Sequence, residues 1–268
     1  MQHVDNWLQK MNLKQIKKYL SPFINQKPKV CIILGSGLSY FQTNIKDKIV
    51  INYDNIPGFL NTSVEGHNGR FIFGTVDNVP IMCADGRFHY YEGYSFDEVG
   101  LIIKVFNLFK PKLCIITNSS GCLNLDWSLG SLTLIDKFID YSFINSVDPQ
   151  FHDFKSKKYF SLIKDVALKL NTSLNNGNYT FTTGPTYETS AEIKEIIDLG
   201  GDTVGMSTFP EFLKCQELNI ETVVISCMTN YGAGLIDKNE ITHKEVLINA
   251  DKSKDIFNRL LTNFIGSM

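Results

Sequence analysis

Val4, Leu8, Met11 and Leu20 recur at roughly helical spacing with lysines between them, which predicts an amphipathic opening helix from residue 4 to about 20. The apolar run Val30 to Leu34 ends on Gly35-Ser36-Gly37, the pattern of a buried strand that delivers a tight turn. Phe71 to Val76 and Val79 to Ala84 flank Asp77-Asn78, two residues suited to a primed hairpin turn. Asp97 to Phe109 carries Val99, Ile102, Ile103 and Phe106 at helical intervals and stops before Pro111, after which Leu113 to Thr117 reads as another buried strand.

The alternation continues with a strand at Leu132 to Ile135, a helix near 158 to 170, and strands at Tyr179 to Thr183, Asp202 to Met206 and Thr222 to Cys227. A closing helix is expected from Thr242 onward, and Phe143 to Ser156 reads as a surface loop around Pro149. Strands alternating with helices imply an α/β fold: a mixed, mostly parallel central β-sheet flanked by helices. There is no internal repeat, low-complexity tract or flexible linker, so residues 1–268 are expected to form a single domain.

Composition narrows the function classes. With 268 residues, 43% of them hydrophobic and 20% charged, the chain has apolar material for a sizeable core and no signature of disorder. A net charge of -2 lacks the basic field that nucleic-acid binding needs. No segment reads as a signal peptide or a membrane span, and Cys31, Cys83, Cys114, Cys122, Cys215 and Cys227 form no CxxC pair, which together suggest a reducing, cytoplasmic setting. His3, His67, His89, His152 and His243 lie far apart, without zinc-ligand spacing, so no metal is expected.

In an open α/β sheet, ligands collect beyond the carboxyl ends of the strands, which directs attention to the polar residues after each apolar run. Gly35-Ser36-Gly37 is either a structural turn or an anion cradle of backbone N–H groups with the Ser36 hydroxyl. Arg87 and His89 offer forked and single donors for phosphate oxygens, against a bland alternative of a surface ion pair and a core histidine. Ser207 and Thr208 either cap the next helix or bind a ligand. Glu188, taken alone, reads as an acid favouring the dipole of a helix that begins near Thr189 or Ser190.

The order and wording of these segments change that weighting. Ile33-Leu-Gly-Ser-Gly-Leu38, Gly66-His-Asn-Gly-Arg70, Gly86-Arg-Phe-His-Tyr-Tyr-Glu-Gly-Tyr94, Thr117-Asn-Ser-Ser-Gly121, Gly184-Pro-Thr-Tyr-Glu-Thr189, Val204-Gly-Met-Ser-Thr208 and Thr229-Asn230 span most of the chain. Together they resemble the purine nucleoside phosphorylase family, the trimeric branch of the nucleoside phosphorylases. The resemblance implies phosphorolysis of 6-oxopurine ribonucleosides or deoxyribonucleosides such as inosine and guanosine, giving free base and sugar 1-phosphate in purine salvage. It implies no cofactor, inorganic phosphate as co-substrate, and a homotrimer.

Carried over residue by residue, the resemblance places phosphate against Ser36, Arg87, His89, the backbone at Ser119, and Ser207, with His67 on a mobile loop closing over it. Tyr91 and Met206 would meet the ribose and His243 the 5′-hydroxyl, with Tyr187 beside the nucleoside. Glu188 would accept from the purine N1–H, and the Asn230 amide would contact N7 and O6. An amide at 230 goes with 6-oxopurines in this group, whereas an acid accompanies methylthioadenosine phosphorylases, the alternative activity. A nucleoside-binding homologue with weak turnover is the alternative from another class.

Two stretches depart from the family pattern. Ser119, Ser120 and Cys122 stand where glycine or alanine is usual. Asp140 to Leu162 lacks the family's Gly-Pro-Asn and Arg-Phe-Pro elements and reads as shortened. That loop sends an aromatic side chain into the neighbouring subunit's site in trimeric relatives, and Phe151 or Phe154 could substitute for it here.

Overall fold

A computed structural model describes residues 13–62, 64, 66–236 and 243–268, the last segment with side chains from residue 247. Of the expected opening helix, residues 13–20 form α1, with Ile16 and Leu20 buried; Val4, Leu8 and Met11 lie outside the described residues.

Three strands lie near the middle of the sheet: β1 (Val30–Leu34), β5 (Leu113–Cys122) and β10 (Thr222–Tyr231). β1 pairs in parallel with β5, and β5 with β10. All five residues of β1 are buried, as a strand covered on both faces requires. On the other side of β1 lie β4 (Val79–Asp85), parallel to it, then β3 (Arg70–Val76) and the edge strand β2 (Lys46–Asn52), both antiparallel to their neighbours. Asp77 and Asn78 turn the β3–β4 hairpin with φ of 46° and 63°, the doubly positive φ of the expected primed turn.

Beyond β5 come β9 (Thr203–Gly205), β8 (Leu174–Phe181) and β6 (Leu132–Asp140), with β6 returning to β10. Because β10 pairs both β5 and β6, the strands β5, β9, β8, β6 and β10 close on themselves into a ring. The sheet is mixed, as expected. Its longest ladders, β5–β10 and β6–β8, are parallel, and β5–β9 and β6–β10 are short antiparallel contacts.

Helices cover the sheet. α2 (Phe96–Val99) and α3 (Leu101–Asn107) divide at Gly100 what the pattern presents as one helix, and α4 (Phe160–Lys169), α5 (Ser190–Asp198) and α6 (Phe209–Glu217) follow. The closing segment is also two helices, α7 (His243–Lys252) and α8 (Lys254–Gly266). Phe209 and Phe212 of α6 pack against Phe138 of β6 with ring centroids 5.8 and 4.3 Å away, which ties the helix to the sheet.

The stretch Phe143 to Ser156 is less irregular than its composition suggests. Gln150–Asp153 form β7, an antiparallel edge strand on β6. Its exposed residues carry no hydrophobic alternation, so periodicity gives no signal for it.

β10 carries one irregularity of consequence. Its register against β5 shifts between Met228 and Asn230, so Met228 faces Ser120, Asn230 faces Gly121, and Thr229 is the extra residue of a bulge.

Candidate functional site

At the carboxyl end of β1 the chain turns through Gly35-Ser36-Gly37, closed by the Leu38 N–H donating to the Gly35 carbonyl at 3.1 Å. A Cβ on Gly35 would lie 2.7 Å from Cα of Asn118, so the turn sits directly on the β5 backbone and residue 35 has no room for a side chain. The turn is stitched to β5 by the Thr117 hydroxyl, which donates to the Ile33 carbonyl at 2.8 Å, and the Ser119 hydroxyl, which donates to the Ser36 carbonyl at 2.7 Å. Only the backbone of Ser119 was expected to matter; its side chain fixes the turn that carries Ser36. The Ser36 Oγ lies 3.4 Å from Nε2 of His67.

Arg87 follows β4 by two residues and its side chain is buried. Its Nε donates to Oε1 of Glu211 at 3.0 Å, and Nη1 to the Thr117 carbonyl at 2.7 Å and to the Ser207 hydroxyl at 3.4 Å. Nη2 is buried and has no partner among the described residues. A guanidinium anchored on two nitrogens with the third unpaired, lining a cavity, is a donor prepared for an anion.

The backbone N–H of His89 donates to Oε2 of Glu92 at 2.8 Å, and its Nδ1 is 3.2 Å from the same oxygen. A carboxylate only accepts, so Nδ1 carries the hydrogen and Nε2 remains for a ligand. Burial lowers the pKa of the imidazole below its ordinary value, with Arg87 acting in the same direction and Glu92 opposing. The ring stacks on Tyr91 at a centroid distance of 4.7 Å and lies 5.2 Å from His67.

Ser207 and Thr208 do not cap α6 through their side chains. Thr208 sits at φ 73°, ψ -44°, and the Phe209 N–H donates back to the Ser207 carbonyl at 2.7 Å, forming a three-residue turn in a region that β-branched residues avoid. Buried Asn118 holds it, donating from Nδ2 to the Thr208 hydroxyl at 3.0 Å, and Tyr179 donates to the Ser207 carbonyl at 3.2 Å. This strained turn places the Ser207 hydroxyl beside Arg87.

Glu188 precedes α5, but the acid serving that helix start is Glu192, which forms a reciprocal capping box with Thr189. Glu188 instead accepts from the Thr182 hydroxyl at 2.6 Å. Burial raises its carboxyl pKa above the ordinary value, the Thr182 hydrogen bond opposing in part. Asn230, placed by the β10 bulge, is buried; its Nδ2 donates to the Tyr231 carbonyl at 3.2 Å, and its Oδ1 accepts from Thr229 at 3.2 Å. The second N–H of that amide is left for a ligand.

These groups line one cavity of about 360 Å³. It brings together Ser36, His67, Arg87, His89, Tyr91, Ser119, Tyr187, Glu188, Met206, Ser207 and Asn230. His243 opens α7, and its side chain lies outside the described residues. Sequence reasoning did not assign roles to Val64, Ser120, Gly121, Pro185, Val204, Gly205 and Thr229, which also line the cavity, although most of them stand inside the quoted motifs. It also missed Glu211, whose position in the first turn of a helix reads as an ordinary dipole-favouring acid. Among the described residues no group of histidine, cysteine, aspartate and glutamate side chains could hold a metal ion, and no helix is long and apolar enough to cross a membrane.

The profile of the phosphorylase superfamily matches residues 29–266. Purine nucleoside phosphorylase 1 of Geobacillus stearothermophilus is 35% identical over 267 residues, covering 96% of this chain and 97% of that protein. The Bacillus subtilis protein of the same name is 33% identical, covering 96% of this chain and 98% of its own length. Among solved structures, the Schistosoma mansoni purine nucleoside phosphorylase in complex with inosine superposes with a TM-score of 0.86 at 30% identity, covering 96% of each chain. The same organism's phosphorylase in complex with adenosine gives 0.87 at 29% identity, covering 96% of this chain and 97% of that one.

Proposed function

The chain belongs to the phosphorylase superfamily as one of its purine nucleoside phosphorylases, and from that premise we propose that it cleaves 6-oxopurine nucleosides with inorganic phosphate. One observation carries the reading. A buried arginine with an unpaired Nη2 lines the same cavity as a half-buried carboxylate and an amide with a free N–H, which suits phosphate at one end and a 6-oxopurine at the other.

Phosphate is held by Arg87, the Ser36 and Ser207 hydroxyls, His89 and the backbone at Ser119, with His67 over it. Tyr91 and Met206 lie against the ribose, Tyr187 flanks the nucleoside, and His243 reaches its 5′-hydroxyl. Glu188 accepts from the purine N1–H, and the Asn230 amide serves N7 and O6. A phosphate oxygen bonds to C1′ as the C1′–N9 bond breaks, and the bonding pair leaves with the purine, which takes a proton. The sugar passes through a cationic state that the phosphate dianion offsets. Donors near N7 meet charge that exists only as the bond lengthens, so Asn230 stabilises the transition state more than the ground state. Glu188, Asn230, His89 and His243 are the groups assigned to catalysis in this reading. Positioning and electrostatics carry the rate, without a covalent enzyme intermediate and without a metal or organic cofactor.

The oligomer is a closed cyclic trimer in this reading, and the compartment is the cytoplasm. Of Phe151 and Phe154, Phe151 is exposed and Phe154 buried, so Phe151 is the one of the two able to reach a neighbouring copy.

A phosphate-dependence assay with inosine, guanosine, adenosine and methylthioadenosine tests the assignment. Hypoxanthine release that requires phosphate supports it. Preference for methylthioadenosine would move the chain to the neighbouring activity, and tight nucleoside binding without turnover would make it a binding protein.

A further inference from the structure

β3 begins at Arg70 and β4 ends at Asp85, and these two residues face each other across the hairpin ladder. The Asp85 side chain is wholly buried. Its Oδ2 accepts from Nε of Arg70 at 2.8 Å and from Nδ2 of Asn68 at 2.9 Å, while Oδ1 has no partner among the described residues. The Arg70 contact is a clamp of the kind expected at a strand end. Asn68 is different, because it sits outside the ladder at an exposed position, adjacent to His67, and sends its amide inward to a buried carboxylate.

The same stretch is docked on the residue after Asp85. A Cβ on Gly86, whose φ is 119°, would lie 2.9 Å from the Gly69 nitrogen and 3.1 Å from Cβ of His67. Tyr53 ties both sides, its N–H donating to the Gly69 carbonyl at 2.8 Å and its hydroxyl to the Gly86 carbonyl at 3.0 Å. Residues 67–69 are therefore fastened to residues 85 and 86, the two that immediately precede Arg87.

We propose that Asp85 and Asn68 form a latch that holds His67 over the anion end of the cavity, which makes Asp85 a positioning residue for phosphate. The inference rests on the reading of that end as a phosphate site. Its physical content is that His67 and Arg87 are aimed from one support, the end of β4. Donor groups on a flexible loop lose part of their binding free energy to the ordering of that loop, and the latch removes that loss before the anion arrives. Asp85 touches no substrate in this scheme and acts through the position of His67.

The test uses the full chain with inorganic phosphate as the probe, measured by calorimetric binding and by the phosphate KM at saturating inosine. Asn68→Ala leaves the Arg70–Asp85 pair in place and alters an exposed position, so folding should be undisturbed. It should weaken phosphate by about threefold to tenfold, the effect of one hydrogen bond, with the inosine KM unchanged and the melting temperature lowered by only about 2–4 °C. Asp85→Asn should weaken phosphate at least as much, with a lower melting temperature. In a His67→Ala background, Asn68→Ala should have no further effect, because the latch has nothing left to position.

An unaltered chain that binds and uses phosphate, paired with an Asn68→Ala variant that matches it, overturns this inference alone. Full additivity in the double variant overturns the route through His67. A chain with no phosphate binding and no phosphate-dependent cleavage overturns the function reading and this inference with it.

Discussion

Arg87 and Glu211 form an ion pair, Nε to Oε1 at 3.0 Å, in which neither side chain reaches solvent. Glu211 therefore balances the charge of the arginine before any ligand arrives. The anion end of the cavity attracts phosphate through aimed hydrogen-bond donors more than through surplus positive charge, and Oε2 of Glu211, buried with no partner among the described residues, is the cost of that arrangement.

Glu211→Gln keeps the acceptor and removes the charge. Breaking a buried pair costs on the order of 3–5 kcal/mol, and the retained hydrogen bond puts this variant near the lower end. Phosphate would then supply the missing negative charge, so saturating phosphate should raise the melting temperature of the variant more than that of the unaltered protein. Differential scanning fluorimetry across a phosphate titration reads this directly; equal phosphate-induced shifts would contradict the charge-balance account.

Glu188 gives a pH signature. Its carboxyl pKa is raised by burial, so the folded chain holds that proton to higher pH than the unfolded chain does. Its share of stability is present below the ordinary carboxyl value and is lost as pH rises through the raised one. A carboxylate that accepts from N1–H must be ionised, so kcat/KM for inosine should fall as pH drops through the same raised value. Glu188→Gln should remove that acidic limb and lower kcat/KM at neutral pH on the order of 10²-fold, as expected for losing a hydrogen bond to a charged group. An acidic limb that survives in the variant would assign the titration elsewhere.

Asn230→Asp should reverse base preference. A carboxylate accepts from a 6-amino group and repels a 6-oxo group, so the inosine-to-adenosine ratio of kcat/KM should fall on the order of 10²-fold or more. An unchanged ratio would show that Asn230 does not hold the base.

Phe154 and Phe151 separate packing from assembly. The Phe154 ring lies 4.8 Å from that of Phe212 and 5.2 Å from that of Phe160, so Phe154→Ala should cost about 3–5 kcal/mol in urea unfolding. Phe151 is 59% exposed, and Phe151→Ala should leave the fold intact while weakening the proposed trimer in sedimentation velocity. A Phe151→Ala variant with unaltered sedimentation at all concentrations would remove this residue from the subunit contact.

The strands nearest the site were legible because strands buried on both faces are continuous apolar runs, as in Val30 to Leu34. Their ends were not. β5 continues five residues beyond Thr117, through Asn118-Ser119-Ser120-Gly121-Cys122, where the apolar run has ended. Asn118 and Ser119 can remain in the strand because their side chains find partners at Thr208 and Ser36. Edge strands β2 and β7 escaped notice because most of their residues face solvent.

The cavity residues were legible through their motifs, but the contacts between motifs were not. Arg87 and Glu211 are 124 positions apart, and nothing local to Glu211 marks its burial. The Thr208 turn was equally hidden, since a threonine before a helix reads as a cap and not as a strained link.

The bulge in β10 makes the proposed base choice a matter of strand register as well as residue type. Side chains alternate across a strand with period two, so Thr229 acts as a phase shift that brings Asn230 opposite Gly121. A ladder that absorbed Thr229 as a regular residue would pair Thr229 with Gly121 and carry Asn230, unaltered in identity, to the opposite face of the sheet. Substitutions that smooth the bulge into a regular ladder are thus a route by which descendants of this protein can lose or reset the proposed base specificity with Asn230 still encoded.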